Sequence, residues 1–372
     1  MRLIVKGREI NLTELSPEMD QRFLDLHTSY ITGQPINWQT FENAATAFFE
    51  SKRAEADRWG AHDHYFNNFT PIWNDMLTDR NFGAAEHIWE LALEPAMKWE
   101  NANTGERIHK GSPYYFRGMT ALLAGDLDRG YLLMHQAVEE DKLTHRAHRP
   151  NTPGVAFVSL NYAEAKQAFR EWVILQAQFI DGFVRQYSTN HKRRFSLEDF
   201  RVRFLSKPPS VEVIFSLAHT VARFMKLSQA AEHSKKNDFA GQLELNLLFD
   251  LTLVIDAAVA AKNVPAWKFI DHARKLIGAA GKQIGKSKLE KINKAFQMDF
   301  DLTLTKLLDG TFEPMPGVPL TRFQSDVAIT YGIRNRGAHK VVSAATVWQR
   351  FEELERILFG VLFAVIDHLY EA

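Results

Sequence analysis

The chain has 372 residues, 45% of them hydrophobic, which is enough for two globular domains of ordinary size. It contains no cysteine, which excludes disulfides, thiolate catalysis and zinc sites built from cysteine, and which fits a reducing cytoplasm. Its 45 basic residues balance 45 acidic residues, so nucleic-acid binding would have to come from local basic patches.

Strand signals are almost confined to the first dozen residues, where Leu3–Val5 and Glu9–Leu12 can pair as a small hairpin. The rest of the chain has helical periodicity, interrupted by a basic and proline-rich stretch from His191 to Pro209. We place a domain boundary in that stretch, with an N-terminal helical domain over 1–205 and a helical bundle over 206–372. The predicted class is all-α with a small N-terminal hairpin.

Two segments of the N-terminal domain resemble each other. In the first, the turn 125–128 separates two helical patterns with residues suited to a close helix crossing: Gly118, Gly130, Met134 and Ala137. In the second, the turn is 81–83 and the matching positions are Trp73, Ala85, Trp89 and Ala92. These helix pairs resemble tetratricopeptide repeats, in which antiparallel pairs stack and form a concave face. Their spacing is wider than in a tight array, so a generic helical bundle stays open as the alternative.

The segment from Val347 to Leu369 has the clearest helical pattern, with two apolar stripes side by side. A helix that is apolar over so wide an arc needs two packing partners. They are its own bundle and the same helix of a second protomer, or else a single bundle surrounds the whole helix. Its apolar run Ile357–Ile366 is shorter than the roughly 20 residues of a membrane span. The N-terminus has no apolar run of signal-peptide length, so we expect a cytoplasmic protein without membrane contact.

The segment Ile333–His339 carries the most specific chemistry in the chain. Arg334 can hold a phosphate, His339 can transfer a proton, and Asn335 can orient the group between them. A second arginine and histidine with the same spacing occur in Arg22–His27, but without the asparagine and with apolar and acidic residues between them. We assign that second copy to an amphipathic helix.

A helical bundle with Arg-Asn-x3-His at the end of one helix, followed by a long C-terminal helix, resembles the HEPN (higher eukaryotes and prokaryotes nucleotide-binding) superfamily. The resemblance covers roughly 208–372, and only the motif is specific. In that superfamily the motif belongs to metal-independent endoribonucleases, usually homodimers whose two motifs form one composite site, in toxin–antitoxin pairs and anti-phage defence. The resemblance implies that Arg334 and His339 are catalytic and that Asn335 is their polar neighbour.

The chemistry of these residue types agrees with RNA cleavage. Positions five apart on a helix are rotated by about 140°, so we expect Gly337 to end or distort the helix, or two motifs to meet across a dimer axis. His339 can then accept the proton of a ribose 2′-OH or donate one to the leaving 5′-oxygen, while Arg334 neutralises the phosphoryl charge. The products would be 2′,3′-cyclic phosphate and 5′-OH ends, and no metal or cofactor is expected.

Other charged residues are candidate RNA contacts. Arg336 lies within the motif and Lys340 directly follows it, and Lys192, Arg193 and Arg194 form a basic cluster near the predicted boundary. Ordinary solvated surface charge is the alternative interpretation for each of them.

Three further residues are candidates for supporting roles. Tyr331 lies one helical turn before Arg334 and lines the site or belongs to the core. Asp250 and Asp256 lie within an apolar run, where an unpaired carboxylate is costly. Each needs a cationic partner, which is Arg334 or another residue of the bundle.

Two functions follow from these patterns. In the first, the chain is an RNA-cutting toxin or anti-phage effector, and the tetratricopeptide-like domain binds a regulatory protein or ligand. In the second, it is a non-catalytic dimeric scaffold that binds a protein partner through its helical-repeat face. We prefer the first because a scaffold has no need of the complete Arg-Asn-x3-His motif.

Overall fold

The computed structural model describes residues 2–5, 8–11, 21–52, 64–145, 152–161, 167–231, 238–262, 285–337 and 345–370. The described elements are almost all helices, which confirms the all-α class. Two short strands, β1 (Arg2–Val5) and β2 (Arg8–Asn11), pair antiparallel as the sequence predicts. Within the described part of the chain, no helix is both long enough and apolar enough to cross a membrane.

The chain divides into two compact units, Met1–Val155 and Ala156–Ala372. The first helices are α1 (Gln21–Ile31), α2 (Trp38–Lys52), α3 (His64–Asn67), α4 (Thr70–Thr78), α5 (Phe82–Ala102), α6 (Gly111–Leu123), α7 (Leu127–His145) and α8 (Pro153–Val158). The division between the two units falls within α8. The second unit continues with α9 (Gln167–His191), α10 (Leu197–Phe200), a π-helical turn (Arg201–Leu205), α11 (Val211–Ala231), α12 (Asp238–Lys262), α13 (Lys286–Met298), α14 (Phe300–Leu308), α15 (Arg322–Gly337), α16 (Ala345–Gln349) and α17 (Phe351–Leu369).

The division lies earlier in the chain than the boundary predicted at 205. The reason is α9, which belongs to the second unit and packs against α11 and α17. Phe183 of α9 stacks on Phe359 of α17, with ring centroids 4.4 Å apart and planes inclined by 15°. The basic, proline-rich stretch is therefore a connection inside the second unit.

The two helix pairs predicted in the first unit are both present. α4 is followed by α5 and α6 by α7, with each pair in contact, and α5 also packs on α6. Asn81 caps α5 by accepting a hydrogen bond from the backbone N–H of Ala84 at 3.3 Å. Trp89 of α5 stacks on Phe116 of α6, with ring centroids 5.0 Å apart. Small and aromatic residues thus hold these helices together, as their spacing predicts.

The last helix, α17, is buried along most of its length. Its side chains contact α9, α12, α15 and α16, all within the second unit. Leu354, Leu358 and Leu362 have no exposed surface, and Val361 and Val365 are buried equally well. Of the two arrangements left open by its apolar stripes, the single surrounding bundle is the one observed. A dimer therefore gains no support from this helix.

The crossing of α6 and α7 depends on Gly118. A Cβ atom at this position would lie 3.0 Å from the carbonyl oxygen of Gly130 and 3.1 Å from the backbone nitrogen of Met134. Backbone atoms cannot move aside as a flexible side chain can, so we expect Gly118→Ala to destabilise the protein by about 1–2 kcal/mol. Urea unfolding measures the change.

Gly182 of α9 is the matched control for that substitution. A Cβ atom there would meet nothing within 4 Å, so Gly182→Ala should stabilise the protein by about 0.5–1 kcal/mol through helix propensity. If Gly118→Ala stabilised the chain as much as Gly182→Ala does, that result would contradict a close approach of the α6 and α7 backbones at Gly118.

Glu355 makes the second unit sensitive to pH. Burial within the bundle raises the pKa of this carboxyl group to about 7, and the negative charges of Glu352 and Glu244 add to the effect. The folded protein therefore keeps a proton at pH values where an unfolded chain has lost it. The stability that this group contributes is complete below its unfolded pKa, near 4.3, and is lost as the pH rises through about 7.

We expect Glu355→Gln to remove part of this pH dependence. The variant should gain stability relative to the wild type, on the order of 1 kcal/mol, when the pH is raised from 5 to 8. Urea unfolding at both pH values measures the difference, and Glu290→Gln on the exposed face of α13 is the control. An identical pH dependence in the wild type and Glu355→Gln would show that Glu355 is ionised at pH 7 in the folded protein.

Candidate active site

Arg334 lies in the last turn of α15, and its side chain is 29% exposed. Its Nη2 atom is 4.0 Å from Oδ2 of Asp256 on α12. Its Nε atom is buried and has no hydrogen-bond partner among the described residues. The guanidinium group therefore lies half inside the bundle beside one carboxylate, and it keeps unused hydrogen-bonding capacity.

Asn335 and Tyr331 lie close to this arginine. The Nδ2 group of Asn335 donates a hydrogen bond to Oδ1 of Asn293 on α13 at 3.4 Å. Tyr331 is 5% exposed, and burial raises the pKa of its phenol, while a side-chain hydrogen bond with Asn335 and the charge of Arg334 act in the opposite direction. We call Arg334, Asp256, Asn335, Asn293 and Tyr331 the Arg334 cluster.

The cluster forms where α12 and α13 both meet α15. Gly332 permits the contact with α13, because a Cβ atom at this position would overlap the ring of Phe296. The asparagine pair lies at the same contact, one helical turn further along α15. Asn293 was not predicted from the sequence, because it lies in an amphipathic helix rich in lysine and has no distinctive neighbours.

Arg336 has a different environment from Arg334. Its guanidinium carbon lies 5.4 Å from the centroid of the Phe300 ring, a distance at which a cation is attracted to the ring face. His339 and Lys340 fall within 338–344, outside the described residues. Gly337, which was expected to end or distort the helix, is the last described residue of α15.

The two aspartates of the apolar run have different partners. Asp250 accepts a hydrogen bond from Nη1 of Arg223 at 2.6 Å, and the two side chains are about one-third exposed. Burial raises the pKa of Asp250, and the charge of Arg223 opposes that effect. Asp250 therefore belongs to a structural ion pair between α11 and α12, while Asp256 is the carboxylate beside Arg334.

The basic cluster at the end of α9 lies apart from the Arg334 cluster. The His191 ring is 6.2 Å from the ring of Phe323, in the first turn of α15, whereas Arg334 is about 16 Å further along the helix axis. Arg193 donates a hydrogen bond to Asp367 of α17 at 2.6 Å. Lys192 has a left-handed backbone conformation, with φ of 52°.

Arg193 thus takes part in holding the second unit together. Its partner Asp367 also accepts a hydrogen bond from the hydroxyl of Tyr187 at 3.1 Å. Lys192 and Arg194 are exposed, as is usual for solvated surface charge.

The other arginine–histidine pair has a structural role, as the sequence predicts. His27 of α1 is 3% exposed, and its Nε2 atom lies 2.6 Å from Oδ2 of Asp75 on α4. This buried contact joins two helices of the first unit, and it accounts for the histidine without any catalytic function.

The Arg223–Asp250 and Arg334–Asp256 pairs should differ in strength. A double-mutant cycle with Arg223→Met and Asp250→Asn should give a coupling energy of about 0.5–1 kcal/mol, because the atoms are in hydrogen-bond contact. The same cycle with Arg334→Met and Asp256→Asn should give a coupling energy near zero, because the closest atoms are 4.0 Å apart. Urea unfolding measures both, and a larger coupling for the second pair would make Arg334 a structural residue.

Comparisons with known proteins leave the family open. No protein-family model matches the sequence, and no curated protein or solved structure is significantly similar to it. The functional argument therefore depends on the chemistry of the residues and on where the helices hold them.

Proposed function

We propose that the chain is a metal-independent endoribonuclease of the HEPN type, acting as a regulated cytoplasmic toxin or anti-phage effector. The observation that carries the proposal is the Arg-Asn-x3-His motif, which begins in the last turn of α15 with a half-buried Arg334. A guanidinium group that is partly exposed, as that of Arg334 is, can donate to a phosphate, which offers several acceptor oxygens.

The surroundings of Arg334 support this role. Asp256, at 4.0 Å, partly compensates the charge of the guanidinium group without occupying it through a short hydrogen bond. The negative end of the α15 dipole also favours a cation at this position. Arg334 can therefore be held in place before RNA binds and still neutralise charge on the phosphoryl oxygens during cleavage.

Asn335 is suited to orienting the scissile phosphate or the catalytic histidine. Its hydrogen bond with Asn293 fixes the amide from the side of α13, and Tyr331 packs within the same cluster. In the proposed reaction His339 takes the proton of the ribose 2′-OH, and the 2′-oxygen attacks phosphorus. The bond to the 5′-oxygen breaks, and that oxygen takes a proton from the histidine of the second motif in a homodimer.

The first unit would supply the regulation. Its consecutive helix pairs, α4 with α5 and α6 with α7, are the arrangement on which tetratricopeptide-like domains build a binding face. We propose that a regulatory protein or ligand binds there and controls cleavage by the second unit.

The test is cleavage of a mixed-sequence RNA by the purified full-length chain in EDTA. We expect wild-type cleavage with 2′,3′-cyclic phosphate and 5′-OH ends, no cleavage by His339→Ala, and at least a hundredfold slower cleavage by Arg334→Ala. DNA of the same sequence should stay intact because it lacks the 2′-OH. Arg185→Ala on the exposed side of α9 and His87→Ala in the first unit are the matched controls, and both should cleave normally.

A second measurement covers an enzyme that needs its activating partner. Expression in cells should slow growth and degrade RNA, and His339→Ala should relieve both effects. Equal cleavage by the wild type and His339→Ala would mean that the motif is not the site. If the chain neither cleaves RNA in vitro nor causes RNA loss in cells, the proposal is contradicted and the non-catalytic scaffold is favoured.

A further inference from the structure

A cleft of about 740 Å³ opens in the second unit, and its lining residues come from α9, the start of α15 and α17. This volume lies within the range of roughly 300–1,000 Å³ that is usual for small-molecule sites. None of its lining residues belongs to the Arg334 cluster. RNA cleavage by the Arg334 cluster therefore leaves the cleft without a role.

Aromatic side chains form part of the wall. Phe183 and Phe323 line the cleft and are only partly buried. Phe183 is fixed by its stacking on Phe359, and the neighbouring Tyr187 is fixed by its hydrogen bond to Asp367. Rigid, partly exposed rings favour a ligand that has a flat ring of its own.

Asp326 offers the cleft a buried hydrogen-bond acceptor. The residue is 8% exposed, and its Oδ1 atom accepts no hydrogen bond from the residues that the structure describes. Nε of Arg322 lies 3.1 Å from that oxygen but is not aligned to donate. Burial raises the pKa of this carboxyl group to about 7, with the charge of Arg322 opposing the effect. A ligand ammonium group beside the exposed part of this carboxylate would add a donor and favour the ionised form.

Arg356 offers the cleft a positive charge. Its side chain is 46% exposed, and its nearest carboxylate, on Glu352, is 3.9 Å away and mostly in solvent. Such a pair is weak and is easily replaced by a better-placed anion. The other acid of the cleft, Glu353, is already paired with Arg350 at 2.6 Å. The cleft thus presents one acceptor without an aligned donor and one weakly paired cation.

We propose that this cleft binds a small zwitterion with an aromatic ring, of the chemical class of the aromatic amino acids. Its ammonium group donates to Asp326, its carboxylate accepts from Arg356, and its ring packs against Phe183 and Phe323. A simple anion would leave the buried acceptor of Asp326 unsatisfied, and a simple amine would not use the charge of Arg356. This inference is independent of RNA cleavage, because it concerns other residues and is tested by binding.

Gly360 of α17 provides a way to close the cleft without disturbing the fold. It lines the cleft, and a Cβ atom at this position would meet nothing within 4 Å. Gly360→Leu should therefore fill the cleft, whereas Gly360→Ala adds only a methyl group. Both substitutions raise helix propensity, so neither variant should melt at a lower temperature than the wild type.

The experiment is isothermal titration calorimetry of the full chain with three matched probes: tryptophan, tryptamine and indole-3-propionate. Tryptamine lacks the carboxylate, and indole-3-propionate lacks the ammonium group. We expect tryptophan to bind at least tenfold more tightly than either. Asp326→Asn and Arg356→Ala should each weaken tryptophan binding at least tenfold, Gly360→Leu should abolish it, and Gly360→Ala should retain it.

Three results with the indole probes would overturn the proposal. They are the absence of tryptophan binding to the wild type at millimolar concentration, equal binding of all three probes, and undiminished tryptophan binding to Gly360→Leu. Adenosine monophosphate is a fourth probe, and tighter binding of this nucleotide than of tryptophan would show that the cleft selects an anion instead. Thermal unfolding of each variant confirms that a loss of binding does not come from misfolding.

Discussion

The burial of α17 is the constraint on which the second unit depends. A helix with so wide an apolar face gains most when other helices surround it, since each apolar side chain taken from water contributes roughly 1.5–3 kcal/mol. α9, α12, α15 and α16 supply that surrounding layer. The polar residues of α17 are then placed by its packing, so that Glu355 is partly buried and Asp367 meets Arg193.

α15 connects the two sites of the second unit. Its first turns carry Arg322 and Asp326 to the cleft, and its last turn carries Arg334 and Asn335 to the Arg334 cluster. Contacts with α12, α13, α14 and α17 hold it in place. Small and polar residues appear on this helix where another element approaches closely or where a ligand can be bound.

The sequence predicted features that depend on local patterns. Turn residues and small residues identified both helix pairs of the first unit, and apolar periodicity identified α17. The division between the two compact units differs from the boundary predicted at 205. The stretch that resembles a linker carries Arg193 and Arg203, and both lie near Asp367, far along the chain. Asp256 was recognised as needing a cation, but Asn293 and Asp326 matter only through tertiary neighbours. Nothing in their sequence context indicates those neighbours.

The position of α17 in chain order has a consequence for synthesis on the ribosome. The first unit is complete once residues up to 155 have emerged, so it can fold while the rest is still being translated. The second unit cannot close until residues 351–369 are available, because they form its centre. A nascent chain that stalls before this point would expose the apolar faces of α9, α12 and α15 to chaperones and proteases. Only chains translated through α17 would therefore assemble both the Arg334 cluster and the cleft.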